Sequence, residues 1–232
     1  MAKPAVSDLS LSIAEGATYG LLGPNGAGKS STVMMLCGLS RPTQGSVRVV
    51  GLDATEEGAA VRRQIGVAPQ EIALFPTLTA VENLRYFGRM YGLEAAVIRT
   101  RLQYYLHAFG LEEKTNKRVQ TFSGGMKRRL NLIAALLHEP KLIILDEPTA
   151  GVDVQSRNMI LDFLTELKAK GTTIIYSSHV LEEAERICTH IGIMDEGKLI
   201  VQGTLTDALD AHNECANLEQ LFLKLTGKRI RD

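Results

Sequence analysis

The chain has 232 residues, 45% hydrophobic and 22% charged, which supplies the apolar material for one large domain with a real core. Lys plus Arg and Asp plus Glu are 26 each, so the formal net charge is zero, and no global electrostatic argument for nucleic acid or an anionic membrane surface exists. Cys37, Cys188 and Cys215 are three widely spaced cysteines, which exclude a disulfide framework and metal-ligand spacing and read as reduced, mostly buried thiols of a cytosolic protein.

Residues 9–13, LSLSI, alternate apolar and polar and predict a half-buried strand. ATYGLLG (17–23) is a short apolar run ending in glycine, a buried strand entering a loop. SSTVMMLCGL (30–39) has helical character. GSVRVVG (45–51) reads as a glycine-bounded strand, GAAVRRQ (58–64) as a short helix, and IGVAPQ (65–70) as a short strand stopped at Pro69. From about residue 71 to 137 strand signals vanish and helical periodicity takes over, in 79–92, in 95–110 and after TFSGGM. KLIILDE (141–147) is a buried strand, 154–171 a helix with a glycine stop, TTIIYSSH (172–179) a strand and VLEEAERIC (180–188) a helix. HIGIMDEGKLIVQG (190–203) predicts a hairpin turning at Glu196 and Gly197. Alternating strands and helices favour a mainly parallel α/β sheet interrupted by a helical insert. The expected division is a nucleotide-binding core at 1–70 and 138–203, a helical subdomain at 71–137 and a helical tail at 204–232. The first residues lack the apolar core of a signal peptide, and no apolar run approaches the roughly 20 residues of a membrane span. Work at a membrane would need spans from another chain.

The chemistry begins at GPNGAGKSS. Gly23, Gly28, Lys29 and Ser30 fit G-x-x-x-x-G-K-[ST]. Glycines let a backbone wrap phosphates with its N–H groups, and the following helix offers its positive end to an anion. Lys29 reaches the β- and γ-phosphates, and the Ser30 hydroxyl ligates Mg²⁺. LIILDEP (142–148) is an apolar strand ending in two carboxylates, costly unless it delivers them to a cation. Asp146 is placed to hold Mg²⁺, and Glu147 suits polarising an attacking water. The guanine reader N/T-K-x-D has only NKRV (116–119) as a near match, without the Asp, so ATP is expected rather than GTP.

The loop GPNGAGKSS, the Gln of VAPQ, the helix start SGGM, LIILDEPTAGVD and the His of IIYSSH occur in this order. On these motifs the chain resembles the ATP-binding subunit of ATP-binding-cassette transporters over nearly its whole length. The resemblance implies a P-loop NTPase (RecA-like) core, an antiparallel β subdomain and an inserted helical subdomain. It implies phosphate contacts from Gly23, Pro24, Asn25, Gly26, Ala27, Gly28, Lys29, Ser30 and Ser31. Gln70 would sit on the Mg²⁺ or attacking-water side, Asp146 would hold the metal and Glu147 would be the general base. His179 would contact the γ-phosphate. Ser123, Gly124, Gly125 and Met126 would face the ATP of a second subunit, and Asp153 would lie at the dimer seam. The implied assembly is a dimer of such subunits, or of this one with a paralogue, driving a separate membrane permease docked near residues 71–84, on the cytoplasmic face and without nucleic acid. The rivals are a soluble cassette ATPase acting on DNA or ribosomes and a non-catalytic nucleotide-binding module. The usual coiled-coil inserts or basic arms of the first are not seen, and Glu147 and His179 argue against the second.

The chain departs from the family pattern at the signature, at the adenine-stacking aromatic and in the D-loop, where AGVDVQSR replaces the commoner leucine-containing sequence. Met126 replaces the usual Gln of the signature and lacks its hydrogen bonds. The basic run Lys127-Arg128-Arg129 is expected to be mostly solvated or at the seam. The family stacks adenine on an aromatic residue well upstream of the loop, about where this sequence begins, so either the true N-terminus is longer or adenine is held otherwise, and weaker, less base-selective binding is expected of the residues given. AGVDVQSR (150–157), with SGGMKRRLNL and the tail, is similar to the subgroup serving exporters of the drug, antibiotic or polysaccharide type.

Overall fold

The computed structural model describes residues 4–227. Its strands are β1 (Thr18–Leu22), β2 (Arg48–Val49), β3 (Leu52–Asp53), β4 (Ile65–Ala68), β5 (Leu142–Asp146), β6 (Thr173–Ser177), β7 (His190–Asp195) and β8 (Lys198–Thr204). The helices are α1 (Lys29–Leu36), α2 (Gly58–Gln64), α3 (Ala80–Met90), α4 (Ala95–Ala108), α5 (Gly124–Leu136), α6 (Val154–Ala169), α7 (Leu181–Ile187), α8 (Leu205–Asp210) and α9 (Leu218–Thr226). One sheet runs β4-β5-β6-β1-β7-β8, parallel throughout except for the β7–β8 hairpin. β2 and β3 form a separate antiparallel pair.

The central strands are apolar on both faces because both faces are covered. In β5, Leu142 and Ile144 join the cluster containing Tyr19, Leu21 and Ile175. Ile143 and Leu145 point the other way, into the larger cluster that extends through α3, α4, α5 and α6. This period of two splits a continuous apolar run between two cores, and each fully buried Leu or Ile contributes about 1.5–3 kcal/mol. Parallel pairing then puts the C-terminal ends of β4, β5, β6 and β1 on one edge of the sheet, where open α/β sheets bind ligands.

Local chemistry fixes the helical insert. Thr79 and Glu82 make a capping box at the start of α3, with Glu82 N–H donating to Thr79 Oγ1 at 3.3 Å and Thr79 N–H donating to Glu82 Oε2 at 2.8 Å. Asn83 is fully buried, accepting from Phe75 N–H at 2.8 Å and donating to Phe75 and Thr79 carbonyls at 3.0 Å. It therefore ties the 75–79 turn to α3. In the tail, Thr204 and Asn217 cap α8 and α9, and α9 packs Leu218, Leu221 and Phe222 into the main core beside α7. Residues 228–232 of the expected tail lie outside the described residues.

Two strand expectations need correction. Residues 9–13 form no strand. Leu9, Leu11 and Ile13 do pack against the smaller core, so the alternation is real, but among the described residues no neighbouring strand completes a ladder for it. The 45–51 segment supplies only the two-residue β2, which turns back into β3 through Val50 (φ 51°) and Gly51 (φ 83°). Positive φ at both central positions is the hairpin turn that matches strand twist, and the β-branched Val50 hid that turn from sequence reading.

Candidate functional site

The loop after β1 carries its glycines where the backbone needs them. Gly26 (φ 80°) and Gly28 (φ 103°) lie in the left-handed region. A Cβ on Gly28 would come within 2.7 Å of the Ala5 carbonyl, whereas a Cβ on Gly26 would meet nothing within 4 Å, so the loop is open on that side. α1 starts after Gly28 with no side-chain cap and no acidic residue in its first turn. The N–H groups of Lys29, Ser30 and Ser31 are therefore at the positions that lack intrahelical acceptors and favour an anion. Ala27 is different: its side chain is core and its N–H donates to Pro24 O at 3.1 Å. Lys29 Nζ folds onto its own loop, donating to Gly23 O at 2.6 Å and Pro24 O at 3.2 Å. Burial pulls its pKa down, while Glu147 and Asp146 oppose that shift.

The other strand ends bring the rest together. β5 ends at Asp146, paired in register with Ser177 of β6, whose buried hydroxyl has no protein partner. Glu147 follows with φ 49°, a conformation costing about 1–3 kcal/mol in a non-glycine residue. It is held by its N–H to Ser177 O (2.8 Å) and its carbonyl to Ala150 N–H (3.1 Å). The turn is braced from below by buried Glu183, which accepts from Thr149 Oγ1 at 2.6 Å and Tyr176 OH at 2.5 Å, with Arg157 Nε 3.8 Å away. The Glu147 carboxylate lies between two expected partners, accepting from Gln70 Nε2 at 3.2 Å and standing 2.8 Å from His179 Nδ1. Lys29, Gln70, Asp146, Glu147 and His179 thus gather at one edge, from four strand ends.

The expected second anion site lies elsewhere on the chain. Ser123 caps α5, its Oγ accepting from Met126 N–H at 3.2 Å, which leaves the hydroxyl proton to donate outward. The first turn of α5 holds no acidic residue. Met126 packs against the main core, so an apolar side chain suits this position where Gln is usual. Asp153 caps α6, accepting from Ser156 N–H at 2.8 Å and Ser156 Oγ at 2.9 Å. The two helix starts abut: a Cβ on Gly125 would fall on the Ser156 hydroxyl and 2.9 Å from Asp153 Oδ2. No hydrogen bond or ion pair among the described residues joins residues 123–126 to the 23–31 loop. Gly125→Ala is accordingly expected to cost about 1–3 kcal/mol by overpacking, seen as a lowered Tm, and to slow turnover. ATP titration of the monomer should be unchanged, because the glycine loop is untouched; weakened monomer binding would contradict this separation.

The solvated reading of the basic run is corrected here. Arg128 is 9% exposed and donates to the Gln70 and Pro69 carbonyls at 2.7 and 3.2 Å. Arg129 Nη1 donates to Phe109 O at 2.6 Å. Burial lowers the pKa of both guanidinium groups. Sequence reading also passed over Asn83, Asn131 and Glu183; the spacing Gly125, Arg128, Asn131, one residue every three along α5, was the available signal.

The oxygen donors suit Mg²⁺. Among the described residues no cluster of three or more His, Cys, Asp or Glu side chains makes a metal cage; Mg²⁺ takes one or two protein ligands plus waters and phosphates. The glycine loop between β1 and α1, with two carboxylates at the end of β5, one strand removed across β6, defines a P-loop NTPase α/β fold. A sequence profile described as ABC transporter matches residues 6–150. The linearmycin resistance ATP-binding protein of Bacillus subtilis (strain 168) is 49% identical over 205 residues, 88% of this chain and 66% of that protein. A Nod factor export ATP-binding protein I of Cupriavidus pinatubonensis (strain JMP 134 / LMG 1197) is 42% identical over 214 residues, 92% of this chain and again 66% of the relative. The chain therefore spans just under two thirds of the length of both. A solved ATP binding subunit of an ABC transporter superposes with TM-score 0.88 at 34% identity, covering 95% of this chain and 92% of that one. A dimeric ATP-binding cassette in a post-hydrolysis state bound to ADP and Pi gives 0.79 at 27% identity, covering 86% and 90%. The chain belongs to the ABC transporter family. No helix among the described residues is long and apolar enough to cross a membrane.

Proposed function

We propose that this chain hydrolyses ATP as the nucleotide-binding subunit of an ABC exporter, acting as a dimer on the cytoplasmic face beside a separate membrane permease. The observation that carries the reading is the separation of its two anion elements. The 23–31 loop gathers with Glu147, while the Ser123 helix start lies elsewhere, with no acidic residue in its first turn. Each is half a site, completed by a second copy arranged head to tail. In the dimeric neighbour, bound to ADP and Pi, the cassette is paired. The relatives' names, linearmycin resistance and Nod factor export, support export as the direction. The proposed division keeps residues 1–70 and 138–203 as the nucleotide core, 71–137 as the helical subdomain and 204–232 as the tail.

In this reading Lys29 and the first-turn N–H groups of α1 bind the β- and γ-phosphates, and Ser123 with the α5 N-terminus binds the γ-phosphate of the partner's ATP. Glu147 accepts the proton of the attacking water. His179 leaves Glu147 to donate to the γ-phosphate, and Gln70 orients the water. Ser30, Asp146 and the Gln70 amide oxygen hold Mg²⁺. When bound, the metal neutralises charge on the β- and γ-oxygens. Asp153 keeps the α6 start against Gly125, at the seam. The permease docks on the exposed side of the helical insert, where Phe75, Tyr86 and Met90 are 41%, 45% and 65% exposed and Phe75 meets Tyr86 edge-on at 4.9 Å. Phe75 lies on the short segment that leads from Gln70 into α3, which links docking to the active site.

Complementation tests the composite site. Lys29→Ala and Ser123→Arg should each be inactive alone, having both sites broken. An equal mixture forms dimers with one intact site, so activity of about a quarter of the unsubstituted chain should appear. A mixture as dead as its components, with ATP turnover by the unsubstituted chain intact, would rule out shared sites.

A further inference from the structure

We propose that Arg128 is a positioning residue which fastens the Gln70 backbone to α5, so that the helix engaging one nucleotide also sets Gln70 against the chain's own Glu147. This rests on the dimeric ATPase reading above. The connection is continuous. Ser123 caps α5; Arg128, in the second turn of that helix, donates from Nη1 to Gln70 O at 2.7 Å and Pro69 O at 3.2 Å; the Gln70 amide donates to Glu147 at 3.2 Å. Asn131, three residues further along α5, makes a second fastening: its Nδ2 donates to Pro69 O at 3.4 Å and its Oδ1 accepts from Ala73 N–H at 3.1 Å. The 69–73 segment is thus held by α5 side chains rather than by a ladder, since β4 ends at Ala68.

The choice of a cation is informative. Arg128 is 9% exposed and makes no ion pair within 4 Å among the described residues. Its nearest charges, Glu147 and Asp146, attract it only at longer range. Burying an unpaired guanidinium carries a desolvation penalty that an apolar residue of the same size avoids. Packing alone therefore does not explain Arg here. What Arg supplies is a charged, planar guanidinium whose Nη1 carries two N–H groups and donates to two successive carbonyls at once, which holds the peptide planes that follow Pro69 and Gln70. A rigid α5–Gln70 unit has a mechanical consequence. The partner's ATP pulls on the start of α5, and the Gln70 side chain moves with it.

The test separates positioning from folding. Arg128→Gln should lower kcat by about tenfold or more while KM for ATP stays within about twofold, because the glycine loop is not touched. In a Glu147→Gln background, Arg128→Gln should still give ATP-dependent dimers by gel filtration, and its Tm should stay close to that of the parent. A kcat within about twofold of the unsubstituted chain overturns the proposal. So does a joint loss of Tm, dimer and turnover, which would make Arg128 a folding residue. Arg128→Lys keeps a charged donor nitrogen but loses the planar guanidinium that fixes its direction, and should fall between the two; full activity in Arg128→Lys with Arg128→Gln unfolded would also assign Arg128 to folding. An unsubstituted chain without ATP turnover strikes the underlying reading instead.

Discussion

Glu147→Gln is expected to bind ATP as before, to lose turnover by about 10²–10⁴-fold, the usual contribution of a general base, and to accumulate as an ATP-bound dimer. The substitution is nearly isosteric, and the left-handed backbone at this residue is no worse for Gln than for Glu. It does change the proton inventory. An amide cannot accept the proton of an attacking water. It also offers one oxygen where the carboxylate offers two, so the Gln70 amide and the His179 ring no longer each find an acceptor oxygen as they do now, at 3.2 and 2.8 Å. Nothing in this change touches the 23–31 loop or the Ser123 helix start, so ATP still bridges two subunits and no hydrolysis removes the bridge. Phosphate release and gel filtration in Mg·ATP measure the two effects. Turnover within about tenfold of the unsubstituted chain would remove Glu147 from the general-base role.

The pair of carboxylates at this strand end stood out in the sequence because an apolar strand ending in two carboxylates has few inexpensive explanations. The same reasoning located β1, β4, β5 and β6: each is buried on both faces and reads as an apolar run, and the glycine loop between β1 and α1 needs left-handed glycines at fixed places. Sequence reading failed where the deciding partner lies far along the chain. Residues 9–13 have the alternation of a strand but no ladder to join among the described residues. The Lys127-Arg128-Arg129 run has the look of a solvated helix face, yet Arg128 finds its acceptors 58 and 59 residues away. Glu183 sits in an ordinary amphipathic helix, and its burial is explained only by Thr149, 34 residues earlier, and by Tyr176. Buried strands and glycine-dependent turns were readable, whereas side-chain fastenings between residues distant in the chain were not.

Lys29→Ala is expected to fail earlier than Glu147→Gln, at binding. The ammonium group now spends its hydrogen bonds on two neutral acceptors of its own loop, Gly23 O and Pro24 O. A triphosphate offers it charged oxygens instead, so that both partners are ionised and the Coulomb attraction of an ion pair is added to the hydrogen bonds. Burial lowers its pKa, and Glu147 and Asp146 oppose that fall. The exchange of loop carbonyls for phosphate oxygens is therefore favourable, and it is lost entirely with Ala. Truncating one member of a buried, hydrogen-bonded charge pair costs about 2–5 kcal/mol, so Kd for Mg·ATP should rise by about 30-fold to 1,000-fold or more. The two carboxylates add to this, since without Lys29 they face an incoming polyanion with less compensation. Folding should be nearly indifferent, because the Lys makes no ion pair within 4 Å among the described residues and its desolvation penalty disappears with it. Calorimetric titration and thermal unfolding on the same sample decide the matter. Tight ATP binding by Lys29→Ala, with Tm unchanged, would move the phosphate contact away from Lys29 and onto the first-turn N–H groups of α1 alone.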